Sequence, residues 1–438
     1  MLKVENLIYL KKNFLLKLLL VLFNTILIML NAFFELGKVL LILAILTNVL
    51  IIWEMRRIQP AVLMGVFFLS YILYLIPYYF YDFTISAHIQ YYRKELYDQV
   101  LGIHLIFLSS FLICLKNNIN ENFLKLKDLI QQRNNLAIFS FLYLIMVAII
   151  FSIKGSSVLG GSYSTYIDNL EGQGGSVEYF YIFFVIAFFF ATNSTLRYSL
   201  LFLVIYYCFI TITRGYRIQF VQMIILTFVL FFDGKFKTMY LMIFAFFGFI
   251  VSEIVGLLKM MGSVSFEDLL SLFEKSDKGI IINNQTDVFY SSVVFIGLIK
   301  DDILSFGVRI WSAIGFIWNW FVPSSFVWKE ARLPLFALDH TTLGGGGLIS
   351  AYFYVWFGYL GPLIIGFALA TLFNKTYSSY EKMNFKIMSV LVLSLYPRWF
   401  AYDPGNFLMR FSIYIFIIYW GLILVHNQMK QLKNKFNE

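Results

Sequence analysis

The sequence predicts an all-α protein integral to a membrane, with about twelve transmembrane helices and one large outer loop. Three observations carry this. The 438-residue chain is 60% hydrophobic and only 13% charged, which excludes a water-soluble globular domain of ordinary make-up. Apolar runs long enough to span a bilayer recur from one end to the other. Phe and Tyr, 50 and 29 residues, gather near the ends of those runs, where aromatic rings favour the membrane interface.

The first run, 14–34, follows Lys3, Lys11 and Lys12. It exceeds a signal-peptide core and lacks a small-x-small cleavage site, so it reads as a retained span. Further spans read at 39–53, 61–80, 100–115, 136–153, 177–191, 198–212, 218–232, 238–256, 348–373, 387–400 and 409–425. Three segments result: helices one to nine over 1–256, a large outer loop over 257–347, and the last three helices with a tail over 348–438. Lysines and arginines favour the cytoplasmic side, chiefly in short loops. A cytoplasmic N-terminus puts 19 of the 34 basic residues inside and leaves 15 outside. Both termini then face the cytoplasm.

The outer loop begins polar and turns apolar and aromatic. Its run 303–321 could cross, but a crossing would invert Lys375, Lys382, Lys386 and the lysine-rich tail. It reads instead as an interfacial or re-entrant helix, and Trp311, Trp318, Trp320 and Trp328, four of the eight tryptophans, fall in or beside it. Cys114 and Cys208 both lie within apolar runs and read as free thiols. The net charge of +9 is spread over loops, so it does not imply nucleic acid.

One short turn stands out, Arg214-Gly215-Tyr216-Arg217, between two apolar runs with almost no linker. Guanidinium groups three residues apart share a helix face. The outer side also holds seven of the eleven arginines: Arg93, Arg214, Arg217, Arg309, Arg332, Arg398 and Arg410. Lysine would serve topology equally well, whereas arginine grips phosphate oxygens with a rigid fork. A phosphate or pyrophosphate clamp is one reading, and side chains reaching separately to lipid headgroups is the other. His340 is the only histidine of the long loop and a possible general base. Asp301-Asp302 is a weak metal signal, and Gly344 to Gly347 reads as an anion nest or a flexible lead into the next span. No Walker loop, dinucleotide fingerprint, zincin motif or Cys/His cluster is present. Neither a cofactor nor a metal is expected.

The chain resembles the bacterial O-antigen polymerases. The likeness rests on its polytopic length, the Arg-Gly-Tyr-Arg turn, the late outer loop, the stretch from Gly346 to Gly361 and Tyr396-Pro397-Arg398-Trp399-Phe400. It implies a glycosyltransferase of the inner membrane with a periplasmic site, extending oligosaccharide repeat units on a polyprenyl pyrophosphate carrier. By that likeness Arg214 and Arg217 would stabilise the leaving pyrophosphate and His340 would act as base. Arg309, Arg332, Arg398, Arg410, Trp318 and Trp320 would bind substrate. Implied partners are the lipid-linked donor and acceptor, membrane lipids and a chain-length regulator protein. The related O-antigen ligases, which use lipid A core as acceptor, share the fold. A flippase for lipid-linked sugars is the alternative from another class, though no internal repeat is found.

Overall fold

The computed structural model describes residues 2–85, 93–116, 176–191, 194–213, 216–232, 280–281, 283–322, 326–342, 346–378, 392–402 and 411–437, with shorter pieces around 138–145, 237–248, 387–390 and 404. In chain order the helices are α1 Leu2–Phe34, α2 Gly37–Glu54, α3 Gln59–Leu73, α4 Ile76–Tyr81, α5 Lys94–Cys114, α6 Ser176–Phe190, α7 Ser194–Thr213 and α8 Arg217–Thr227. They continue as α9 Asn284–Lys300, α10 Phe306–Trp318, α11 Leu333–Ala337, α12 Ile349–Phe357, α13 Leu360–Ser378, α14 Tyr396–Trp399 and α15 Phe411–Asn437. Strands β1 Thr84–Ile85 and β2 Ile280–Ile281 form a two-residue parallel pairing. The described chain is otherwise helix and turn. Among the described residues, five stretches are long and apolar enough to cross a membrane: Phe14–Asn31, Gly37–Glu54, Gln59–Tyr81, Lys94–Cys114 and Ser194–Thr213. Cys114 and Cys208 are free thiols.

The chain divides into two compact units. The first comprises Met1–Glu121, Glu274–Tyr380 and Tyr396–Asn406. Its centre is α5, against which α1, α2, α9, α12 and α13 pack. Small residues permit this closeness, as in membrane bundles generally. A Cβ on Gly366 of α13 would fall 2.6 Å from the Phe107 carbonyl of α5. Asn24 of α1 joins three helices by donating to Thr47 Oγ1 at 3.2 Å and Ser109 Oγ at 2.9 Å.

Two expected spans are interrupted. The span 61–80 divides into α3 and α4, with Pro77 at the start of α4, because proline cannot continue the preceding backbone ladder. The span 348–373 divides into α12 and α13 at Gly358, whose φ of +61° suits glycine. The helix α9 falls in the region read as an outer loop, yet it is buried from Gln285 to Leu298 with few breaks. Asn283 and Thr286 cap it reciprocally, at 2.8 and 3.0 Å.

The second unit comprises Asn122–Phe273, Glu381–Leu395 and Phe407–Glu438. Here α6 packs on α7, α8 and α15. Tyr181 of α6 donates to the Gln219 carbonyl of α8 at 2.9 Å, and Phe190 stacks on Tyr419 of α15. Tyr198, Phe202, Ile205 and Phe209 of α7 form an exposed apolar stripe at helical spacing, the pattern of a face turned to lipid.

Candidate functional site

A cavity of about 800 Å³ opens at one end of the first unit, lined by Asn31, Phe33, Glu35, Arg93, Lys94, Glu95, Asp98, Gln99, Lys300 and Tyr359 among others. The helix α5 supplies most of this wall. Its residues 94 and 95, 98 and 99, and 102 lie on successive turns of one face. The turn between α1 and α2 supplies Glu35, held at φ +43°. That turn is fixed by the Leu36 N–H donating to Asn31 Oδ1 at 2.6 Å. Among the described residues, the non-glycine residues with positive φ are Glu35, Asp82 and Asp302. Asp82 ends α4 and Asp302 follows α9. Glu35 lines the cavity and Asp302 adjoins the Lys300–Asp301 corner, and strained residues of this kind gather at functional sites.

Its cations are each engaged by a carboxylate. Lys94 meets Glu35 at 2.9 Å, Lys300 meets Glu95 at 3.5 Å, and Arg93 meets Asp301 at 3.6 Å. The hydrogen bond from Lys94, and then its charge, hold the Glu35 carboxyl below the usual glutamate range. Asp98 differs. It is only 3% exposed, and its hydrogen bond is with a neutral group, the Tyr79 hydroxyl of α4, at 2.7 Å. Gly37 makes room for this pair, because a Cβ there would lie 2.2 Å from Asp98 Oδ1 and 2.5 Å from Tyr79.

A second polar cluster lies in the same unit, where the start of α12 meets the residues that follow α14. Gly346 packs on the Tyr402 backbone, the Ile349 N–H donates to the Phe400 carbonyl at 2.8 Å, and Tyr352 donates to the Tyr402 carbonyl. His104 of α5 faces Ser350 Oγ at 3.2 Å through Nδ1 and is fully packed against Phe107 and Phe400. Non-helical backbone inside a membrane bundle is tolerated where protein groups satisfy it, and here the Phe400 and Tyr402 carbonyls are so satisfied.

The residues singled out from sequence are placed as follows. In the second unit, α7 ends at Thr213 and α8 begins at Arg217, the turn being closed by the Tyr216 N–H on the Thr211 carbonyl at 2.8 Å. Arg214, Arg410 and the side chain of Arg217 lie outside the described residues. In the first unit, Arg309 of α10 directs two donors at the carbonyls of Tyr354 and Val355, which close the last turn of α12. Arg398 lies 5.6 Å above the Tyr402 ring, and Arg332 precedes α11 half-buried. Trp318 is half-exposed at the end of α10, while Trp320 packs edge-on against Phe316. His340 is exposed beside Phe336, and the neighbouring Asp339 pairs with Lys329. Gly344 and Gly345 lie outside the described residues.

Sequence reasoning missed Asp98, Glu35, Gln99 and Tyr359. One signal was available: Asp98 sits within a helical row of apolar residues, where an acid is costly and tends to be functional. Starting that span at residue 100 left the acid in a loop. Among the described residues no group of three His, Cys, Asp or Glu side chains could hold a metal ion. Comparison of the chain with family models, curated proteins and solved structures returns no match.

Proposed function

We propose that the protein is a twelve-span glycosyltransferase of the bacterial inner membrane that polymerises polyprenyl-pyrophosphate-linked oligosaccharide repeat units into O-antigen or a similar surface polysaccharide. Both termini face the cytoplasm and the cavity opens to the periplasm. The observation that carries this reading is the charged cavity at the end of an apolar helix bundle. A polar chamber of this kind would suit the headgroup of a lipid-linked sugar. The helix α10 supports the same reading. It leaves Phe306, Ile310, Trp311, Ile314 and Trp318 exposed while burying Ser312 and Phe316, the design of a helix lying in the interface.

In this reaction an acceptor hydroxyl attacks the anomeric carbon and the carrier pyrophosphate departs. Charge grows on the pyrophosphate, and fixed guanidinium donors stabilise that charge most effectively in a poorly hydrated site. Arg214 and Arg217 take that role in our reading, with Arg309, Arg332, Arg398, Arg410, Trp318 and Trp320 contributing to substrate binding. Family likeness alone would assign the proton to the loop His340.

Transport of the lipid-linked oligosaccharide is the second reading, favoured by the interrupted span of α12 and α13, whose Ser350 meets His104, since transporters bind at broken helices. Against it, the cavity's charges sit at helix ends. The lipopolysaccharide pattern of a strain lacking the gene discriminates. Core plus a single repeat unit supports polymerisation. Bare core with polymer retained on the carrier identifies a ligase, and absence of outward-facing repeat units identifies a transporter.

A further inference from the structure

We propose that the cavity beside α5 is the acceptor-sugar site, and that the Asp98 carboxylate takes the proton of the attacking hydroxyl. This rests on the glycosyltransferase reading above. Three features select a neutral, hydroxyl-rich ligand. Arg93, Lys94 and Lys300 are already matched by Asp301, Glu35 and Glu95, so the walls offer no surplus positive charge to an anion. The lining combines polar groups with the aromatic residues Tyr359 and Phe33, which suits a sugar that shows hydroxyls on its rim and C–H groups on its face. Gln99 donates its amide to Tyr354 at 2.9 Å, leaving its carbonyl oxygen for a ligand hydroxyl.

Asp98 then has a role that packing does not supply. A carboxylate removed from water without a cation is expensive unless something compensates it. Here the one hydrogen bond among the described residues comes from Tyr79 and occupies Oδ1. The second oxygen remains for a donor arriving in the cavity. A metal ion is disfavoured, since no three potential ligands converge among the described residues. A hydroxyl group fits. During transfer the hydroxyl oxygen forms the bond to the anomeric carbon and its proton passes to Asp98. The anomeric carbon–oxygen bond breaks, and its electron pair leaves with the pyrophosphate. The exposed His340, by contrast, has no hydrogen bond to orient its imidazole among the described residues.

The test uses the full chain purified into liposomes, with the strain's polyprenyl-pyrophosphate-linked repeat unit as substrate. The free repeat-unit oligosaccharide serves as the binding probe. Asn at position 98 keeps an oxygen for Tyr79, so Asp98→Asn should fold and still bind the oligosaccharide. Its transfer rate should fall about 100- to 10,000-fold, the usual worth of a general base. Asp98→Ala should lose transfer and regain part of it when formate is added, a rescue that a purely structural carboxylate would not give. Tyr359→Ala should weaken binding of the oligosaccharide. Wild-type transfer by Asp98→Asn overturns the proposal and leaves the glycosyltransferase reading intact. So does loss confined to His340→Ala. Binding that depends on Tyr359, in a wild-type protein that transfers nothing, overturns the enzyme reading and supports the cavity as a sugar site. Absence of both binding and transfer overturns both.

Discussion

The two ends of the first unit handle buried charge in opposite ways. At one end Lys17 of α1, only 8% exposed, meets Glu54 of α2 at 3.2 Å and donates to the Leu115 carbonyl at 3.0 Å. Beside it Asn374 of α13 bonds to Cys114 and Lys116 across the end of α5. Charge and hydrogen bonds close that end. At the other end Asp98 is buried on the same helix α5, its neighbour Lys94 is committed to Glu35, and a cavity opens beside it. Burial of an ionisable group does not by itself mark function. Burial without a matching charge, next to space for a ligand, does.

Breaking the closed end should have the largest effect on stability. Lys17→Met strands the Glu54 carboxylate, and losing one partner of a buried pair typically costs ~3–5 kcal/mol. The double variant Lys17→Met with Glu54→Leu should recover most of that, because an apolar replacement of both partners is often neutral. Thermal unfolding of the protein in detergent measures both, and equal losses for the single and double variants would remove the ion-pair explanation.

A smaller effect on stability, with a larger one on activity, is expected from Gly37→Ala. Its methyl group would enter the space of Asp98 and Tyr79, and overpacking of this kind costs about 1–3 kcal/mol. Polymer should fall well below what that loss of stability explains. Gly421→Ala on α15 meets nothing within 4 Å and serves as the matched control, stabilising its helix by up to about 1 kcal/mol.

The smallest effect concerns pH. Lys94 lowers the Glu35 carboxyl, so the pair's contribution is complete above the ordinary glutamate range. It is lost as pH falls through the lowered value. Both groups face water and the contribution is slight. Glu35→Gln should therefore flatten the acid side of the stability profile, and an unchanged acid limb would show that the pair adds nothing there.

How far the sequence reveals this molecule depends on what hydropathy can register. The expected spans 39–53 and 198–212 correspond closely to α2 and α7, because both are apolar almost to their ends. The helix α5 starts six residues ahead of the expected 100, because its charged first turns resemble a loop. That difference concealed Asp98. The helix α9 was concealed for another reason. Its Ser291 and Ser292 hydroxyls donate to the carbonyls of Asp287 and Val288, at 2.9 and 3.0 Å, so these two hydroxyls are buried with their donors satisfied. The cavity joins residues from positions 28 to 359, and no local pattern encodes that meeting. The arginine bias predicts a phosphate clamp, whereas Arg309 is engaged with the end of α12.

The most direct test sets the two ends against each other in cells lacking the chromosomal gene. Glycan chain length is measured for Asp98→Asn and for Lys17→Met with Glu54→Leu, at matched membrane levels. The account predicts a full polymer ladder from the double variant and core with a single repeat unit from Asp98→Asn. A wild-type ladder from Asp98→Asn, or its loss from the double variant alone, would contradict it.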